Sequence, residues 1–139
     1  MTDREFSTEL LERIAARMSE SDVELILCDD EYIEELNGRY RDVHKPTDVL
    51  SFPLRVETEG APLGSIIISL DTAERIAQNF GHSPAEETAL LFIHGMLHLL
   101  GYDHECDDGE MRREERRYIE LFGLPESLIV RTTRQEEER

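Results

Sequence analysis

Apolar residues recur along this chain with two different periods, and the changes of period divide it into elements. Phe6, Leu10, Ile14 and Met18 lie four apart, which sets them on one face of a helix running to about residue 19, and Thr2 with Glu5 forms a capping box at its start. Val23 to Cys28 is an apolar run of strand length. Asp29 and Asp30 then open a second helix, with Ile33, Leu36 and Tyr40 at helical spacing and Arg41 at its C-terminal end. Asp48 to Leu54 and Ser65 to Leu70 read as two strands of a hairpin, joined by a polar turn through Glu57-Thr58-Glu59-Gly60. Asp71 caps a helix to Phe80 that Gly81 stops. Ser83-Pro84-Ala85-Glu86 combines a capping box with proline at the first helical position, so a helix over 85–100 is strongly set. That helix is apolar nearly all round, which predicts a central position between the sheet and the other helices. A last helix runs from about Asp108 to Phe122, before Gly123 and Pro125, and the polar stretch 130–139 is expected to fray. The order αβαββααα predicts an α+β domain, a small mixed sheet of about three to four strands packed with about five helices.

The central helix carries chemistry as well as apolar surface. His94 and His98 are four residues apart and share a face, so two imidazoles can aim at one point. Gly101 can take the left-handed conformation that ends a helix, and the reversal would bring His104 back beside the pair. A lone histidine on so apolar a helix would be a core residue, but three at this spacing suit a metal ion. Three neutral imidazoles leave a fourth tetrahedral position open, the pattern of a catalytic zinc. The spacing also matches one class of zinc protease, yet Gly95 stands where those enzymes place the glutamate that serves as general base. Peptide hydrolysis is therefore disfavoured, with Asp103, Glu105 and Asp107 the local candidates to replace it. Asp103 could orient a ligand imidazole or cap the turn. A metal that only stabilises the fold, and hydrolysis of a small phosphoester, stay open at this level.

Composition narrows the setting. The length, 139 residues, suits one domain over 1–139, and no linker or repeat divides it. No apolar run is long enough to span a bilayer and the polar start lacks a secretory signal, so the cytoplasm is the expected compartment. Cys28 and Cys106 are expected to be free thiols there, Cys28 in the core and Cys106 close enough to His104 to compete as a ligand. The net charge of −17 opposes nucleic-acid binding, which usually depends on a basic surface. Its local exception is Arg39, Arg41, His44 and Lys45, a stretch that holds the chain's only lysine. Arg112, Arg113, Arg116 and Arg117 alternate with Glu110, Glu114, Glu115 and Glu120, a pattern of solvated helix pairs.

The wording of the histidine run, His94-Gly95-x-Leu97-His98-Leu99-x-Gly101-Tyr102-Asp103-His104, resembles the signature of the YbeY family, bacterial endoribonucleases of rRNA maturation. Leu36-Asn37, Tyr40-Arg41 and Pro46-Thr47-Asp48-Val49-Leu50-Ser51-Phe52-Pro53 resemble the family's other motif, in the expected order. The resemblance spans roughly residues 23–122. It implies a zinc-dependent endoribonuclease specific for single strands, acting in rRNA maturation, small-subunit 3′-end processing included, and in ribosome quality control. By position it implies one Zn²⁺ on His94, His98 and His104, Arg41 as the functional arginine, and rRNA presented on the ribosome as partner. Three positions depart from the pattern. Gly64-Ser65-Ile66 stands where the family usually reads Gly-Asp-Ile, Arg112 follows Met111 in place of Phe, and the chain enters a helix where the family commonly opens with a strand.

Overall fold

The β-branched run Ile66-Ile67-Ile68 makes the middle strand of the sheet, and its alternation divides the molecule into layers. In the computed structural model, which describes residues 9–54, 60–102 and 109–124, the strands are β1 (Glu24–Cys28), β2 (Val49–Pro53) and β3 (Gly64–Ser69). The helices are α1 (Glu9–Met18), α2 (Asp30–Arg41), α3 (Leu70–Phe80), α4 (Pro84–Leu99) and α5 (Glu110–Leu121). β3 lies between β1, with which it runs parallel, and β2, with which it forms the antiparallel ladder of the expected hairpin. The sheet is thus mixed, with three strands among the described residues, and the fold is α+β as the pattern predicts.

Successive side chains on a strand face opposite sides. Ile66 and Ile68 join Leu11, Ile14, Ala73, Phe92, Ile93 and Met96 in the main core, whereas Ile67 turns the other way and packs with Leu50 and Ile33. One face of the sheet therefore carries α2, and the other carries α4 surrounded by α1, α3 and α5. The central position of α4 follows from its sequence: Ala89, Leu90, Leu91, Phe92, Ile93, Met96 and Leu97 are all buried, leaving no polar face wide enough to meet water.

The helix ends explain the boundaries. Ser83 and Glu86 form the full capping box at the start of α4, with Pro84 in the first turn. At its other end Gly101 adopts φ +101°, and the Gly101 and Tyr102 N–H groups return to the carbonyls of His98 and Leu97. The chain reverses there as expected. Gly81, at φ 75°, stops α3 in the same conformation. The start of α3 differs from expectation, because the capping side chain is Ser69, whose hydroxyl accepts from the Thr72 N–H, and Leu70 belongs to the helix rather than the strand. Asp71 instead accepts from the backbone N–H of Asp30, tying the first turn of α3 to that of α2. At the α3–α4 turn the His82 ring lies 2.8 Å from the Glu87 carboxylate, both side chains fully buried, which pins the turn to α4. The Thr2–Glu5 capping box, most of the hairpin turn and the stretch 130–139 fall outside the described residues.

Candidate active site

His94 and His98 occupy successive turns of α4 on the same face, and their Nε2 atoms are 3.0 Å apart. The rings meet edge to face, with centroids 4.6 Å apart. Two imidazole nitrogens this close share either a proton or a metal ion. Ligand bonds of about 2.0–2.1 Å to a tetrahedral zinc put neighbouring nitrogens about 3.3 Å apart, so the pair fits a metal with little adjustment. A carboxylate fixes which nitrogen is available. His94 Nδ1 lies 2.7 Å from the Glu115 carboxylate, whose side chain is 6% exposed, so Nδ1–H donates and Nε2 keeps its lone pair facing His98.

Glu115 is the functional residue that sequence reasoning missed. The charge pattern groups it with the solvated pairs of α5, and its neighbours do behave that way: Arg117 pairs with Glu114 at 2.7 Å and Arg116 with Glu120 at 3.5 Å, on an exposed surface. Glu115 differs because α5 turns Met111, Glu115, Tyr118 and Ile119 inward. A carboxylate in the middle of a helical apolar stripe was the available signal.

Gly95 has a physical reason to be glycine. A Cβ there would stand 3.0 Å from Ile66 Cγ2 and 3.1 Å from Ser51 Oγ, so α4 rests directly on the sheet at this point. Residue 95 faces the sheet at such close range that a glutamate side chain has no room there. The Ser51 hydroxyl donates to the Gly95 carbonyl at 3.4 Å, a helix-to-strand contact that gives the serine a structural task. Gly64 is small for a similar reason nearer the end of α4, since a Cβ would meet Phe52 O at 2.5 Å and Leu99 Cδ2 at 2.9 Å.

Arg41, the last residue of α2, is exposed and makes no hydrogen bond or ion pair among the described residues. It lies on the sheet face opposite α4, so the structure does not bring it into contact with the histidine pair. Both reach the same end of the sheet, because Tyr40 packs against Phe52 while Leu99 packs against Gly64, the residue beside Pro53 in the ladder. His104, Asp103, Glu105, Cys106 and Asp107 lie outside the described residues, and among the described residues no group of three metal-ligating side chains converges. Ser65 shares the α2 face of β3 with Ile67 and donates to Glu24 at 2.8 Å, so the family position it fills points away from the histidines. Arg112 is exposed and Met111 fully buried, so the polar replacement sits on the surface.

A central buried helix thus presents a carboxylate-oriented histidine pair towards its C-terminal end, on an α+β scaffold. A family model described as Endoribonuclease YbeY matches residues 3–123. Proteins named Endoribonuclease YbeY resemble the chain over nearly their whole length: that of Nautilia profundicola is 56% identical, covering 94% of this chain and 93% of its own, and that of Campylobacter jejuni (strain RM1221) is 54% identical, covering 89% and 92%. The solution structure of TM1509 from Thermotoga maritima superposes with a TM-score of 0.58 at 32% identity, covering 95% of this chain and 85% of that one. The chain belongs to the Endoribonuclease YbeY family.

Proposed function

We propose that this protein is a metal-dependent endoribonuclease of rRNA maturation that cleaves single-stranded RNA, with one Zn²⁺ held by His94, His98 and His104. The observation that carries the reading is the pair of Nε2 atoms 3.0 Å apart with Glu115 fixing the tautomer of His94. When bound, the metal would polarise a phosphoryl oxygen and acidify water at neutral pH. His94 and His98 would hold it on a helix that the sheet and three other helices keep rigid. Arg41 would contact the phosphate, where its planar guanidinium can hold two oxygens as negative charge grows. Small-subunit rRNA, presented on the ribosome or its small subunit, fits so acidic a protein better than naked RNA does, and this reading puts its work in the cytoplasm. No helix among the described residues is long and apolar enough to cross a membrane.

The test is metal content together with cleavage of a single-stranded rRNA fragment. The wild-type protein should carry one equivalent of zinc and cleave, while His98→Ala loses both. Arg41→Ala should keep fold and metal yet lose about 2–4 kcal/mol of transition-state stabilisation, and Arg41→Lys should recover some of it. Full zinc occupancy in His98→Ala would overturn the ligand assignment, and wild-type turnover in Arg41→Ala the phosphate contact.

A further inference from the structure

Tyr40 stands out as an aromatic ring with no core to fill. The stripe Ile33, Leu36 and Asn37 of α2 packs on the sheet, but the helix outruns the strands, and Tyr40, next on the same face, is 62% exposed. It is held nonetheless, because its ring meets Phe52 in a T-shaped contact at a centroid distance of 5.4 Å, which takes up at most one of the two ring faces and leaves Tyr40 exposed.

The surroundings are built as well. Asn37, 5% exposed, donates through Nδ2 to the Lys45 carbonyl at 2.9 Å, and its backbone carbonyl accepts from the Asp42 and Val43 N–H groups. Asp42 takes a left-handed conformation, φ 56°, to make that turn. His44 then folds over Gly38, where a Cβ would come within 2.7 Å of its Nδ1. The loop that carries the only lysine is thereby fastened to the last turn of α2, beside Arg39 and Arg41. In a chain of net charge −17 the exposed Arg41 and Lys45 stand in this segment beside Tyr40, while Arg39 is paired with Glu35 at 3.0 Å.

We propose that Tyr40 is a base-stacking platform: it receives one base of a single-stranded RNA whose phosphates run past Arg41 and Lys45. The inference rests on the endoribonuclease reading and adds a positioning residue to it. Stacking on an open aromatic face tolerates any base, and adjacent cations track the backbone, the combination that single-strand binders use. Phe52 holds the ring in place, so little freedom is lost when a base lands on it. Tyr40 acts on where the strand lies, so its loss should show in KM and leave kcat nearly unchanged.

The chain contains no tryptophan, which supplies a clean reporter. Tyr40→Trp should show quenched emission on rapid mixing with a single-stranded RNA oligonucleotide and no quenching with an oligomer of the same length made abasic throughout. Tyr40→Leu should raise KM for the normal oligonucleotide about tenfold, the effect of losing about 1.4 kcal/mol of stacking, with kcat within about twofold. Tyr40→Phe should behave as wild type, which separates loss of the ring from loss of the hydroxyl and from misfolding. A wild-type KM in a folded Tyr40→Leu, or equal quenching by the abasic oligomer, would overturn the platform while leaving the endoribonuclease reading intact. Failure of the wild-type protein itself to bind or cleave RNA would overturn both.

Discussion

A single carboxylate decides what the histidine pair can do. Without Glu115 the His94 ring could present either nitrogen, and the arrangement toward His98 would be one of several. Glu115→Gln should therefore weaken zinc binding by about 10–100-fold while the fold survives, a difference that competitive chelator titration would measure. Unchanged affinity would mean that Glu115 is merely a buried helix contact. The histidine spacing was legible because it is local: residues four apart on a helix meet whatever the tertiary fold. Glu115 was not, because its role depends on how α5 docks, and a charged stretch such as Glu110 to Arg117 reads as surface until that docking is known. The place of Arg41 relative to the histidines was equally beyond reach, since it depends on which face of the sheet α2 covers. Cys28, expected in the core, is half-buried and packs against the Ile33, Leu50 and Ile67 cluster. Burial, then the charges of Asp29 and Asp30, push its pKa up to about 11, and its Sγ donates to the Ile68 carbonyl. At pH 8 only about 0.1% is thiolate, so Cys28 should resist alkylation in the folded protein and react on unfolding, as peptide mass mapping would show.

Elements here are joined by contacts that fix their relative height. Gly95 keys α4 to β2 and β3, and Gly95→Glu should fail to create a protease and should lower the melting temperature steeply. Even overpacking by small groups costs about 1–3 kcal/mol, and an added carboxylate would be buried against Ile66. A folded, stable Gly95→Glu protein would show that the helix can lift from the sheet. The difference between this site and that of a protease thus originates behind the histidines, and any redesign toward peptide hydrolysis would first have to shrink Ile66 or Ser51. A second joint links the first turns of α2 and α3. Asp30 accepts from Ser69 and Thr72 at 2.6 Å each and from Arg75 at 2.8 Å. Burial works against its ionisation, but these hydrogen bonds and the charge of Arg75 outweigh it and hold the carboxyl below the usual range. A carboxyl that ionises more readily when folded contributes stability above its unfolded pKa, about 3.9, and loses it as pH falls through the lower folded value. Asp30→Asn should cost roughly 1–3 kcal/mol at neutral pH, and the gap from wild type should shrink in urea titrations as pH falls through and below the ordinary carboxylate range. A gap independent of pH would remove the carboxylate from the explanation.

At the scale of the whole molecule the acidic surplus and the short basic surface predict a particular response to salt. Two phosphates neutralised on a single strand by Arg41 and Lys45 give a slope of log K against log salt of about −1.4, shallow for a nucleic-acid enzyme. A much steeper slope would mean that more cations are engaged than α2 and its loop supply. The order of elements, the hairpin and the central helix were all visible in the pattern of apolar residues, because each follows from local periodicity. The layering was not, since nothing along the chain says that α2, of the described helices, covers one face of the sheet. That layering has a mechanical consequence. A ligand that touches both Tyr40 and the histidines must turn around the end of β2, from one face of the sheet to the other. A stiff duplex, straight over many base pairs, cannot make so tight a turn, whereas a flexible strand can. Substrate stiffness, rather than any contact that reads pairing, would then sort what is cut. Pairing an oligonucleotide to its complement should abolish cleavage, and inserting a short unpaired bulge should restore it at the bulge.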